Sequence, residues 1–338
     1  MRQVIKRLAG LFLIPIFAVS SWADVAMTSY SDHPEVLAFI DELVVEDGFD
    51  RQQLIEVFAQ AEYKQRIIDA ISRPAERVLH WDEYQDIFLT KKRLSQGLEF
   101  IREHSLILEN AEREFGVPAE IIAAILGVET SYGRNTGSYR VLDALSTLAF
   151  NYPRRAKFFK GELKHMLLLA REQGKAPELL MGSYAGAMGL GQFIPSSYRA
   201  YAIDFDDDGQ IDIWNDPVDA IGSVANYLNR HGWAAGEGVL VRLAGPASLA
   251  SDQFNVSLRP SMAVAEARLA GLLNDPTLEE TGKVSPIKLN GKAGAEYFLG
   301  LKNFYVITRY NHSRLYAMAV FQLSQQLAQG ASPDGQAD

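Results

Sequence analysis

The chain has 338 residues, 48% of them hydrophobic and 22% charged, with a formal net charge of −9 and no cysteine. That length and apolar content suffice for a real core, as one large domain or two to three smaller ones. The acidity argues against sequence-independent nucleic-acid binding, which needs Lys and Arg to neutralise phosphates. The lack of cysteine excludes disulfides, thiolate catalysis, Cys-ligated metals and a Cys-linked lipid.

Residues 1–23 read as a secretory signal. Arg2, Lys6 and Arg7 precede the apolar run Leu8 to Val19, and Ser21-Trp22-Ala23 offers small residues for a signal peptidase. The alternative is an uncleaved anchor, but the run is short for a membrane span. Removing this basic stretch leaves the rest of the chain more acidic still. Residues 24–110 then read as a helical domain, with apolar residues at helical spacing over Val36–Val44, Arg51–Ala61 and Tyr63–Ile71. Pro74 breaks the run, Trp81-Asp82-Glu83-Tyr84 follows, and a long amphipathic stretch runs from Lys91 to Phe115.

A predicted core begins at residue 111 and continues to 236. Its first helix, from Pro118 to Tyr132, is apolar on most of its circumference, as buried helices are. Pro118 suits its first turn and Gly133 the position past its end. Glu129 stands in the last turn, where the helix dipole and apolar surroundings both raise a carboxyl pKa. Two readings are open: Glu129 lies on an exposed stripe, or it is an acid that keeps its proton near neutral pH, as a general acid must. Helices are predicted over Val141–Phe150 and Phe158–Gln173, with Arg154 and Arg155 between them as a solvated helix start. Residues 182–198, GSYAGAMGLGQFIPSSY, are glycine-rich yet too apolar for a linker. They fit a rigid loop walling a cleft, or close helix packing. They do not fit a dinucleotide fingerprint, because the spacing is wrong and no strand precedes them.

Residues 204–219, DFDDDGQIDIWNDPVD, open like an EF-hand loop. Asp204, Asp206 and Asp208 alternate, Gly209 falls at the sharp turn, and Gln210 offers a backbone carbonyl. Clustered carboxylates repel one another unless a hard cation joins them; the alternative is a solvated acidic turn. Asn215 stands where an EF-hand has its bidentate Glu, so Asp219 or Asp216 is the natural closing ligand. Many flexible oxygens favour calcium, in a structural role. A helix follows over Ala220–His231. Residues 237–300 read as a small β-containing subdomain with strands near Val239–Val241, Lys283–Leu289 and Glu296–Leu299. Residues 301–330 return to the core with a C-terminal helix over Tyr316–Ala328, and 331–338 read as a disordered tail.

Six stretches carry a resemblance. GVETSYG, LSTLAFNYPRR, GSYAGAMGLGQFIPSSY, DFDDDGQIDIW, DPVDAIGSVANYLNRHGW and FYVITRYNHS occur in the order seen in the lytic murein transglycosylase B family, glycoside hydrolase family 103. The chain resembles it over roughly residues 35–330. The resemblance implies a mainly α, α+β protein: a lysozyme-like core with an added N-terminal helical domain and a small β subdomain. It implies cleavage of the β-1,4 bond between N-acetylmuramic acid and N-acetylglucosamine in peptidoglycan, leaving 1,6-anhydromuramic acid ends. By motif, Glu129 matches the single acid/base. Ser183 and Gln192 match cleft residues near the cleaved sugar, and Tyr84, Tyr227, Tyr310, Asn311 and Tyr316 match subsite residues. Arg154 and Arg155 match a pair near the peptide stem. Asp204, Asp206, Asp208, Gln210 and Asp219 match a calcium loop, with no organic cofactor. A hydrolytic muramidase is the nearest alternative, and a non-catalytic binding module a more distant one. Some members of the family are tethered by a lipidated cysteine. With no cysteine, the expectation is a soluble, monomeric protein in the periplasm of a Gram-negative bacterium, acting on glycan strands and open to other cell-wall enzymes as partners.

Overall fold

Ile121 to Leu126 include no polar side chain, and the helix they form, Ala119–Thr130, is buried at nine of its 12 positions. Pro118 is its N-cap, in an extended conformation (ψ 140°). The helix ends earlier than Gly133: Ser131 caps it with φ 52°, and Tyr132 follows with φ 60°. Two consecutive non-glycine residues in the left-handed region are uncommon and must be held by their surroundings. Arg93 contributes, donating through Nη2 to the Ser131 hydroxyl (3.1 Å). The helix packs against four others, Lys91–Glu103, Ser105–Phe115, Pro217–Arg230 and Arg314–Ala331. It is therefore the axis of the core, as its composition requires.

The computed structural model describes residues 30–72, 79–273, 278 and 282–331. The signal segment 1–23, the break at Pro74 and residues 332–338 of the tail lie outside the described residues. Helices Pro34–Asp47, Arg51–Ala59 and Gln65–Ser72 open the described chain. Asp50 caps the second by accepting from Gln53 N. Their buried residues, among them Phe39, Ile40 and Phe58, belong to the same hydrophobic core as the Glu129 helix. The amphipathic stretch Lys91–Phe115 forms two helices, Lys91–Glu103 and Ser105–Phe115, broken at His104 (φ −115°, ψ 24°). Arg154 and Arg155 stand in a 3-10 turn, Pro153–Arg155, ahead of helix Ala156–Glu172.

The segment 237–300 holds a four-stranded antiparallel sheet. In spatial order its strands are Leu240–Leu243, Gly294–Gly300, Lys283–Gly291 and Met262–Ala263, and the register pairs Val241 with Leu299 and Ile287 with Phe298. Helix Val264–Leu269 packs beside it, and Val264, Ala267, Leu273, Val284 and Leu299 form a second, small core. Three elements depart from the expected pattern: helix Pro195–Tyr201, helix Lys302–Tyr310, and a two-stranded ribbon pairing Tyr139–Arg140 with Met181–Gly182. Helix Lys302–Tyr310 supplies Arg309 and Tyr310 to one surface pocket, and the ribbon supplies Met181 to another.

Candidate active site

Glu129 is half-buried, at one of the few positions of its helix that are not fully buried. Its carboxyl lies among aromatic rings and accepts one hydrogen bond, from the Tyr316 hydroxyl at 2.7 Å. Burial pushes its pKa up to about 7, and the Tyr316 hydrogen bond pulls the other way without offsetting it. Neither influence is a second carboxylate. Tyr84, Tyr310 and Tyr316 stand close enough that burial first, and the Glu129 charge second, raise their own hydroxyl pKa values. The Tyr310 and Tyr316 rings lie nearly parallel, 6.5 Å apart. Elements distant in sequence thus converge on one acid: helix Trp81–Phe88, the C-terminus of helix Lys302–Tyr310 and the first turn of helix Arg314–Ala331.

The glycine-rich stretch is tied to the end of the Glu129 helix through Thr130 and to Tyr310 through Gly191. Ser183 Oγ accepts from the Ala187 amide (3.0 Å), and Gln192 Nε2 donates to the Thr136 (3.1 Å) and Gly189 (2.9 Å) carbonyls. Gln192 itself has φ 52°. Contact forbids a side chain at each glycine of the stretch, Gly182, Gly186, Gly189 and Gly191. A Cβ at Gly189, whose φ is 69°, would lie 2.5 Å from the Ile213 carbonyl, and one at Gly191 would lie 2.9 Å from the Tyr310 hydroxyl. That hydroxyl donates to the Gly191 carbonyl (2.6 Å).

Thr130, which sequence reasoning missed, ties these parts together. Its buried hydroxyl donates to the Leu190 carbonyl (2.8 Å) and accepts from the Gly133 amide (2.9 Å). The Leu190 amide in turn donates to the Ile213 carbonyl (2.8 Å) in the acidic loop. A hydroxyl directly beside the acid on a buried helix was the available signal, since a buried donor needs a partner.

Arg155, Gln192, Tyr227 and Tyr310 line one pocket of about 610 Å³. Tyr227 is buried, its hydroxyl donating to the Arg309 carbonyl (2.6 Å) and its ring stacked 4.0 Å from His231. Arg155 is exposed, over the Phe158 ring at 4.3 Å. Arg154 and Asn311 are exposed and do not line the pocket. The pocket adds three residues that sequence reasoning missed, His231, Arg309 and His312. Arg309 and His312 sit three apart at a helix end, Nη1 to Nε2 at 3.0 Å, a spacing that brings side chains together.

In the acidic loop, Asp204, Asp206 and Asp219 each bring an oxygen within 4.8 Å of the others. Asp219 is 1% exposed and spans the loop, accepting from Phe205 N (2.8 Å) and Asp212 N (2.6 Å). Asp208 accepts from Gln210 N (2.8 Å). The other closing candidates are engaged elsewhere. Asp216 caps helix Pro217–Arg230 through Val218 N, and the Asn215 amide donates to Asp212. The all-oxygen set with one buried carboxylate fits a hard divalent cation.

The family description Transglycosylase SLT domain matches residues 31–325. Membrane-bound lytic murein transglycosylase B of Escherichia coli K12 is 44% identical over 308 residues, covering 88% of this chain and 84% of that protein. Among solved structures, soluble lytic transglycosylase SltB1 from Pseudomonas aeruginosa superposes with a TM-score of 0.84 at 52% identity, over 88% of this chain and 99% of that one. Escherichia coli Slt35 in complex with calcium gives 0.81 at 44%, over 89% and 94%. Pseudomonas aeruginosa SltB3 in complex with NAG-NAM-pentapeptide gives 0.79 at 30%, over 88% and 80%. The mostly helical fold is that of these lysozyme-like lytic transglycosylases, and the chain belongs to the transglycosylase SLT family.

Proposed function

We propose that this protein is a peptidoglycan lytic transglycosylase in which Glu129 is the single acid and base. The observation that carries the reading is a carboxyl held near neutral pKa by burial, oriented by Tyr316, with no second carboxylate among the described residues acting on it. Glycosidases of the two-carboxylate type place a second acid across the bond. One acid suffices where the sugar supplies its own nucleophile. Glu129 protonates the oxygen leaving from the anomeric carbon of N-acetylmuramic acid, while the 2-acetamido carbonyl oxygen attacks that carbon. The resulting Glu129 carboxylate removes the proton from the sugar's 6-hydroxyl. The 6-oxygen then displaces the acetamido oxygen and closes the 1,6-anhydro ring. Glu129 ends protonated, ready for the next cycle, and no water is consumed. Proximity favours the 6-hydroxyl over solvent. Membership with lytic murein transglycosylases favours this route over a water-dependent muramidase.

The half-buried Tyr84 and Tyr310 offer ring surface to sugar faces, with the buried Tyr227 and Tyr316 behind Tyr310. Ser183 and Gln192, locked on backbone groups, fix the opposite wall, and Asn311 stands beside Tyr310. Arg154 and Arg155 offer charge to the carboxylates of a peptide stem, the kind of ligand SltB3 was solved with. Asp204, Asp206, Asp208, Asp219 and the Gln210 carbonyl would hold calcium, which neutralises the clustered charge and braces the loop behind Ile213 and Leu190. We place the mature chain in the periplasm, after removal of residues 1–23. No helix among the described residues is long and apolar enough to cross a membrane.

A mass spectrum of muropeptides released from purified peptidoglycan tests the reaction. Products ending in anhydromuramic acid, lighter by one water than reducing ends, are expected. Reducing ends would overturn the single-acid mechanism, and no release at all would overturn the enzymatic reading.

A further inference from the structure

A second concave site adjoins the acidic loop. It is a pocket of about 480 Å³, lined by Lys175, Leu179, Met181, Asp212, Trp214 and Asn215. Its rim is unusually apolar for solvent-facing surface: Leu179 is 74% exposed and Met181 41%. Trp214 is fixed in place. Its indole N–H donates to the Met181 carbonyl (3.0 Å), the Tyr198 ring lies 5.5 Å away, and the Lys175 ammonium sits 4.7 Å from its ring centre. The Asp212 carboxylate accepts from the Trp214 and Asn215 amides and from the Asn215 side chain. Lys175 and Asp212 carry opposite charges, so the pocket is close to neutral. The cleft pocket beyond it is cationic, with Arg155 and Arg309 among its lining residues. The two are neighbours. Thr136 lines the neutral pocket, and its carbonyl accepts from Gln192, which lines the cationic one.

We propose that the neutral pocket is a distal subsite that takes one N-acetylhexosamine of the glycan strand, beyond the sugars that react. The proposal rests on the peptidoglycan reading above. An N-acetylhexosamine is uncharged and two-sided: its ring face and acetamido methyl suit Leu179 and Met181, and its hydroxyls suit Asn215 and Asp212. A peptide stem is anionic and is better matched by the cationic pocket. Binding energy gained there is remote from the bond being cleaved and serves to hold the strand in register.

The test uses full-length Glu129→Gln, which binds without cutting, titrated calorimetrically with N-acetylglucosamine oligomers from disaccharide to hexasaccharide. Affinity should rise with length. In the same background Leu179→Ser with Met181→Ser should remove about a tenfold gain carried by the longest oligomers and leave the short ones unchanged. Both side chains are exposed, so folding is not at stake, and the tryptophan near-ultraviolet dichroism serves as the check. Equal length dependence in the two proteins overturns the subsite alone. No oligomer binding by Glu129→Gln at any length overturns the peptidoglycan reading with it.

Discussion

The molecule has two acidic sites and treats them in opposite ways. Glu129 stands alone among tyrosines, with one hydrogen-bond donor, and burial holds its proton near neutral pH. The loop from Asp204 to Asp219 gathers several carboxylates and surrounds them with backbone N–H donors, among them Phe205, Asp208, Gly209 and Asp212. Desolvation without partners makes a proton donor; N–H donors and a fit for a cation make a brace. On the proposed function, the same side-chain chemistry serves as a reactive group in one place and a structural one in the other. The sites are linked through Thr130, Leu190 and Ile213.

The largest effect that sharpens the contrast is expected from Glu129→Gln. It removes the proton donor with little change of volume, so lysis of sacculi should fall by about 10³-fold or more while glycan binding survives. Its effect on stability has a definite sign. The folded pKa of about 7 lies above the ordinary carboxyl value, so the folded state binds the extra proton between those limits and stability falls as pH rises through them. Glu129→Gln should therefore be more stable than the parent at pH 8, by on the order of 2 kcal/mol, and show no gain at pH 4. Chemical denaturation at both pH values checks this, and equal stability at pH 8 would break the contrast.

Next in size is the loop. Chelation should lower the melting temperature by several degrees, on the order of 3 kcal/mol if the ion is bound well below its free concentration. Activity at a permissive temperature should fall less. Superimposable melting curves with and without chelator would remove the brace from the account. Thr130→Val tests the link between the sites. It leaves the Leu190 carbonyl and Gly133 amide short of a partner and should cost about 1–3 kcal/mol, with kcat falling more than KM rises. The smallest effect is expected from Tyr316→Phe. It removes the one hydrogen bond that lowers the Glu129 pKa, so the alkaline fall in kcat/KM should move to higher pH while kcat drops about tenfold. An alkaline limb that stays in place would show that Tyr316 does not act on Glu129.

Much of this organisation was legible in the chain, for physical reasons. Ile121 to Leu126 marked a buried helix, while the acid at its end stayed open between an exposed stripe and a perturbed carboxyl until the other motifs were read with it. Alternating Asp204, Asp206 and Asp208 could only be a turn that crowds charge. What escaped was structure whose signal is polar. Helix Lys302–Tyr310 buries Asn303 and Thr308 completely. Asn303 accepts from Ala234 N and donates to the Ala234 and Glu237 carbonyls, tying the helix to the start of the 237–300 segment. Buried polar groups satisfied from a distant segment blur the apolar period on which helix prediction rests. The break at His104 carries no Pro or Gly. That Asp219 rather than Asp216 joins the Asp204 and Asp206 cluster follows from Asp216 capping the next helix, which only the folded geometry shows.

On the proposed mechanism, burial alone keeps Glu129 protonated close to neutrality. Carbon-13 NMR of glutamate side-chain carboxyls, compared between the parent and Glu129→Gln, tests it most directly. One carboxyl titrating with a midpoint near 7, absent from the variant, is the predicted result. A Glu129 midpoint near about 4, the ordinary value for a solvated glutamate, would contradict the account.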